Sequence, residues 1–274
     1  MAKAFVIDVA KCSGCYNCQL ACKDEHAEND WAPYAKAQPL TGQFWCRVTD
    51  HVQGTIPKVR IHYIPRLCNH CRNAPCIDAA ENGAVYRRED GLVIIDPEKA
   101  AGQKQIAEAC PYGAVFWNEA LDLPQKCTGC AHLLDHGDRK KPRCVEACPT
   151  EALMFGEEED LADWIEGAAV LQPETGCAPR VYYRNIPGQF IAGTVYDPVE
   201  KEVVIGARCL LNSGGKRWET RTDEYGDFWF NDLPVGLFDL SIQTPGYEPK
   251  LFRDLRTREC VNLGDIPLER KRNT

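Results

Sequence analysis

The chain has little methionine (two in 274 residues), few histidines (six) and no surplus of positive charge, its net charge being −8. The last point argues against duplex nucleic acid as a main partner, because binding it needs a basic face. No apolar stretch approaches the roughly 20 residues of a membrane-spanning helix, so direct membrane insertion is not expected. The N-terminal MAKAFVIDVAKCSGC is too short in its apolar run, interrupted at Asp8, to read as a secretory signal. The expectation is a cytoplasmic chain, unless it leaves folded alongside a partner that carries the signal. There is no phosphate-binding glycine loop or dinucleotide fingerprint. Asp8, Glu25 and the acidic Glu157–Asp160 run form no pair suited to acid–base catalysis, so no catalytic residue is expected.

What the chain does have is cysteine, 16 residues, 13 of them before Pro149. In a reducing compartment these read as metal ligands rather than disulfides. The distribution divides the chain into a metal-binding front (residues 1–172), a Pro/Gly-rich linker (173–188) and a module without cysteine clusters (189–274). EEEDLADWIE (157–166) reads as a short acidic amphipathic helix closing the front, and GAVYRRED with GLVIID (83–96) as a hairpin within it. From Gln189 the pattern is all-β. FIAGTVYD, GARCLLN, RWETRTD, DFWFNDL and LFDLSIQ are separated by turn signals, as in a small sandwich.

Cys12, Cys15, Cys18 and Cys22 form C-x2-C-x2-C-x3-C, the bacterial ferredoxin run. In that run three thiolates hold one cubane and the fourth cysteine reaches a second cluster. Structural zinc usually takes paired C-x2-C units with a longer gap. Cys68, Cys71 and Cys76 give C-x2-C-x4-C, with Ala80 where a fourth cysteine is expected. Cys127, Cys130, Cys144 and Cys148 give C-x2-C, an insertion, then C-x3-C before Pro149. Cys110 in EACPYGA is the end of a motif whose other thiolates are replaced by Ala100, Gln103 and Ile106.

These departures agree with one another. Losing the triplet before Cys110 removes one cluster and with it the need for a cysteine at position 80. If each triplet borrows its fourth thiolate from its partner motif, three [4Fe–4S] clusters result. They are Cys12, Cys15, Cys18 with Cys148; Cys22 with Cys127, Cys130, Cys144; and Cys68, Cys71, Cys76 with Cys110. Cys46, Cys177, Cys209 and Cys260 are left over and read as buried thiols packing as small hydrophobes. His26, His70 and His132 lie near the motifs and read as surface or loop hydrogen-bonders. Arg139, Lys140, Lys141 and Arg143 read as a solvated loop, the functional alternative being a docking patch for an acidic partner or an offset to cluster charge.

The motif order over residues 1–170 resembles the iron–sulfur subunits that accompany molybdopterin oxidoreductases of the dimethyl sulfoxide reductase type. TDEYGDFWFNDLPVGLFDLSIQTPGY resembles the carboxypeptidase regulatory-like domain, a prealbumin-type sandwich. The fold expected from the resemblance is α+β: tandem bacterial ferredoxin-like modules with one cluster lost, then a small all-β sandwich. It also implies a large partner subunit, forming a heterodimer, that holds a molybdenum bis-pterin cofactor and the substrate. Loss of one cubane together with the β tail narrows the likeness to complexes that transfer hydroxyl groups between polyhydroxybenzenes. The alternatives are another molybdopterin oxidoreductase, a free-standing polyferredoxin, or a zinc-stabilised interaction protein.

Overall fold

The structure is a computed structural model describing residues 2–137 and 139–271. It divides into two compact units, residues 1–50 with 62–186, and residues 51–61 with 187–274. Each has its own apolar core.

In the first unit a three-stranded sheet has Lys3–Asp8 at its centre, antiparallel to Leu153–Glu157 and parallel to Val181–Arg184. Residues 4–8 of the central strand are all buried, which fits a strand paired on both edges and covered on both faces. Around it run the two-stranded ladders Val85–Arg87 with Val93–Ile95 and Val115–Asn118 with Leu123–Lys126. The first of these is the hairpin read in the sequence. Short helices carry cysteines into the interior. Asn17–His26 buries Cys18 and Cys22, four residues apart and so on one face. Pro75–Asp78 opens on a proline whose missing N–H costs a first helical turn nothing, and it buries Cys76; Arg143–Glu146 buries Cys144.

The structure differs from the sequence reading in two places here. The expected linker 173–188 contains a strand of the sheet, Val181–Arg184, whose Val181, Tyr182 and Tyr183 are buried. Flanking Pro179 and Pro187 gave it the look of a loop, although proline is excluded only from the paired residues themselves. The acidic helix is one turn, Ala162–Ile165, because Glu157 already belongs to the strand Leu153–Glu157.

The second unit has two four-stranded sheets. In one, Gln189–Asp197 lies between Asp227–Leu233 (antiparallel) and Val261–Pro267 (parallel), with Glu202–Val203 pairing at its end. The other runs in the order Lys216–Arg221, Arg208–Ser213, Leu237–Gln243, Lys250–Arg256. All five strands expected from the sequence are present, and Lys250–Arg256 and Val261–Pro267 add to them. Residues 51–61, the outer part of the hairpin Arg47–Thr55/Lys58–Arg66, belong to this unit. Lys58 ion-pairs with Asp227, and Asn262 donates to the Thr55 carbonyl at 3.0 Å. Gly54 is held at φ +83°, where a Cβ would fall 2.3 Å from the Phe190 ring, so only glycine fits.

Candidate metal centre

The cysteine loops share one local solution. In the first C-x2-C turn of each of the three motifs the third residue is left-handed: Gly14 (φ +69°), His70 (+41°) and Gly129 (+65°). Such a residue curls the backbone so that amide N–H groups turn inward, a concave arrangement suited to anions. The Gly129 N–H donates to the Cys127 sulfur at 3.4 Å, and that of Gly14 reaches the Cys12 sulfur. Histidine at position 70 offsets its conformation with a buried bond, Nδ1 accepting the Val93 N–H at 3.0 Å. The two Cys-Pro turns are equally alike. Gly113 (+57°) and Glu151 (+53°) turn the chain so that the Ala114 N–H donates to Cys110 at 3.4 Å and the Ala152 N–H to Cys148 at 3.2 Å.

Sulfurs from distant motifs lie together in three neighbourhoods. Cys12 is surrounded by Cys15, Cys18 and Cys148. Cys22, carried on its helix, meets Cys127, Cys130 and Cys144. Cys71 is close to Cys68, Cys76 and Cys110, with Cys177 as a fifth sulfur. The last set lines a cavity with about 340 Å³ of empty space, part of it open to solvent, together with His70, Val93, Tyr112 and Val115. The first set is the most accessible: Cys15 is exposed and Cys12 and Cys148 are partly so, whereas the second set is buried throughout.

The electrostatics of these sites disfavour free thiolates, so thiolate would form there only on binding a cationic group. Burial, reinforced by neighbouring sulfurs, pushes the thiols of Cys22 and Cys130 well up and that of Cys127 to about 12. Burial also raises Cys71 and takes Cys76 to about 11. Thiols so placed stay protonated at neutral pH, and ligation must displace their protons. Lys126 is buried beside Cys76, its ammonium donating to the Val93 and Cys127 carbonyls with no carboxylate partner among the described residues. A buried ammonium paired only with carbonyls is costly unless an anion stands nearby. Four thiolates around an iron–sulfur cube would supply that anion, since their negative charge would exceed what the irons and sulfides return. A single zinc ion fits less well. Among the described residues no group of three or more His, Cys, Asp or Glu side chains is placed to hold one metal ion. The thiolates of a cubane each take a different iron and so stand further apart than those sharing one zinc.

The four positions aligned with the missing thiolates also come together. Ala100 and Ile106 are fully buried in one apolar cluster, against which Ala80 packs. The Gln103 side chain accepts the Glu81 N–H at 2.8 Å and donates to the Lys99 carbonyl at 2.8 Å. Methyl groups and an amide fill this place.

Of the reading of the histidines as surface or loop hydrogen-bonders, the hydrogen bonds of His70 and His132 hold and the surface placement does not. His26, His70 and His132 are each 1 % exposed, not on the surface. His132 donates to or accepts from Glu25 at 2.9 Å and stacks on Trp31, while His26 packs against Trp45. Their burial depends on the 27–46 loop folding back, which no local pattern announces. Tyr112 shares a hydrogen bond of 2.8 Å with Thr175 and packs beside the Cys71 set. The basic run is partly engaged within the fold: Arg143 donates to Glu25 at 3.1 Å and Arg139 pairs with Glu146, leaving Lys140 and Lys141 exposed. Cys46, Cys177 and Cys209 are buried as expected. Cys260 is only partly buried, accepting from the Phe190 N–H and donating to Gln189 at 3.1 Å.

Two family models match the chain, the 4Fe-4S dicluster domain over residues 59–158 and the carboxypeptidase regulatory-like domain over residues 191–266. The pyrogallol hydroxytransferase small subunit of Pelobacter acidigallici is 42 % identical over 276 residues, covering 96 % of this chain and 98 % of the relative. The arsenate respiratory reductase iron-sulfur subunit of Shewanella sp. strain ANA-3 is 30 % identical, covering 67 % of this chain and 96 % of the relative. A subunit of the anaerobic dimethyl sulfoxide reductase of Escherichia coli K12 is 36 % identical, covering 57 % of this chain and 74 % of the relative.

Proposed function

Because the chain belongs to the iron–sulfur subunits of molybdopterin oxidoreductases of the dimethyl sulfoxide reductase type, we propose that it carries three [4Fe–4S] clusters for a molybdenum-containing catalytic subunit. The ligand sets are Cys12, Cys15, Cys18 with Cys148; Cys22 with Cys127, Cys130, Cys144; and Cys68, Cys71, Cys76 with Cys110. Bound there, such clusters supply one-electron transfer. The protein's own part is to bring four thiolates to each, exclude water and aim amide N–H groups at the sulfurs. The front unit is then a tandem ferredoxin-like module that has lost one of four clusters. What supports three rather than four is the set Ala80, Ala100, Gln103 and Ile106, which holds no sulfur and is packed shut.

The reaction belongs to the complex: transfer of a hydroxyl group between polyhydroxybenzenes, pyrogallol and phloroglucinol among them. The observation that carries this reading is likeness to the pyrogallol hydroxytransferase small subunit along nearly the full length, β tail included. The arsenate and dimethyl sulfoxide reductase relatives cover no more than 67 % of the chain. The partner is a large bis-pterin molybdenum subunit joined as a heterodimer, and the complex works in the cytoplasm. Co-expression with that subunit, followed by purification and metal analysis, tests it. The expected result is one complex holding molybdenum, about twelve irons per small subunit, and activity toward pyrogallol. A small subunit that purifies alone with its clusters is a polyferredoxin instead, and zinc without iron or sulfide removes the redox role altogether.

A further inference from the structure

Lys126 closes the strand Leu123–Lys126, all four residues of which are buried, and is itself 3 % exposed. Its ammonium donates to two carbonyls, that of Cys127 at 3.0 Å and that of Val93. The two carbonyls belong to different sulfur neighbourhoods. Cys127 is a member of the set with Cys22, Cys130 and Cys144. Val93 lines the cavity of Cys68, Cys71, Cys76 and Cys110, as does Val115, the residue paired with Lys126 across its hairpin. Val93 is in turn held by the Cys68 loop, its N–H donating to His70 Nδ1 at 3.0 Å. The cation is thus bonded to a member of one set and to a wall of the other.

A side chain needed only to bond two carbonyls has no use for a charge, and an uncharged donor would be far cheaper to bury. A fixed positive charge does have a use beside a redox centre. Each one-electron reduction adds a negative charge, and a cation close by stabilises that state and raises the reduction potential. Burial strengthens the interaction, because little water is there to screen it. We propose that Lys126 is a potential-setting residue: its positive charge is shared by the Cys22/Cys127/Cys130/Cys144 and Cys68/Cys71/Cys76/Cys110 clusters and holds both of their potentials up. The Cys12/Cys15/Cys18/Cys148 cluster lies outside its bonds and is not tuned by it. The lysine keeps its proton throughout, so passing electrons leave the ammonium unchanged. This rests on the ligand assignment proposed above.

The test uses the purified holo complex with Lys126→Met, Lys126→Gln and Lys126→Arg, read by iron and sulfide analysis and by EPR-monitored redox titration. Expected in both neutral variants is a displacement of two of the three midpoint potentials to more negative values, with the third, from the Cys12 set, unmoved. Lys126→Arg, which keeps the charge, should leave all three near wild type. Clusters that stay intact with unmoved potentials in Lys126→Met overturn the proposal. Wild-type potentials in Lys126→Gln overturn it as well, since a neutral donor to the carbonyls would then suffice. So does iron lost from Lys126→Arg as much as from the neutral variants, because the position would then serve packing rather than charge. Iron lost from the neutral variants alone, with Lys126→Arg keeping its clusters and potentials, supports the same need for a cation. Failure of the underlying assignment shows differently, as missing [4Fe–4S] signals in the wild-type complex itself.

Discussion

At the scale of single residues the cysteines and the histidines behave oppositely. Cysteine spacing is legible because a tight loop must deliver several thiolates to one site, and that demand falls on neighbours in sequence. Gly14 and Gly129 even mark the third, left-handed position of their turns. His70 hides the same position, and His26 and His132 give no sign of burial, because what covers them is far away in the chain. The burial has a consequence for stability. Desolvation, with the charges of His132 and Lys23 adding to it, lowers the His26 pKa from 6.5 to about 3. The folded protein therefore keeps this ring neutral, while the unfolded chain takes up a proton near pH 6.5. Stability from this residue is complete above that pH and is lost as pH falls from 6.5 toward 3. Between about pH 7.5 and 5.5 the loss is about 1.4 kcal/mol, one tenfold change in proton binding. Anaerobic urea unfolding at the two pH values should show it in the wild type and show less of it in His26→Gln. Equal pH dependence in both proteins would count against the neutral ring.

At the scale of elements, what the sequence discloses follows how strictly each segment alternates. Leu237–Gln243 buries every second residue, and the period of two is visible on inspection. Lys250–Arg256 buries none of its residues fully; Phe252 and Leu255, which pack partly against the core, are three apart across a shift in register, so the period of two is lost. The set Ala80, Ala100, Gln103 and Ile106 is a third case. The missing cysteines are legible as gaps in a motif, but not the substitute that ties the turn after Pro75–Asp78 to the helix Gln105–Glu108. That substitute is Gln103, bonded to Glu81 and Lys99. Replacing it by alanine removes the partner of a part-buried backbone N–H and carbonyl, a cost of about 0.5–1.5 kcal/mol. Gln103→Ala should lower the thermal midpoint while the iron content of the protein stays at the wild-type value. A matching loss of iron would mean that the position serves a cluster after all.

Across the whole molecule the proposed ligand sets fall in one of the two units, which should then depend on metal more than the other. The boundary read from composition, near residue 172, missed that residues 51–61 join the second unit, since a discontinuous unit is defined by contacts and not by neighbouring composition. In the first unit the cysteines are core members: Cys18, Cys22, Cys68, Cys127 and Cys144 sit in one apolar cluster, Cys71 and Cys76 in another. If these cysteines hold clusters as proposed, emptying the sites would leave protonated thiols in their place, and the free energy of cluster binding would be lost from folding. The second unit draws on Ile191, Leu211, Phe228, Phe238, Leu240 and Ile242, with Cys209 as the sole cysteine of its core. Cys209 is packed at the sheet centre as a small hydrophobe, with no second sulfur in that cluster. Stripping iron with a chelator under reducing conditions should therefore open residues 2–50 and 62–186 to protease and spare a fragment beginning near residue 187. Mass spectrometry of a limited digest reads the result directly. Cleavage of both units at the same rate would tie the β-sandwich to the metal, and resistance of both would show that the front unit's core holds without it.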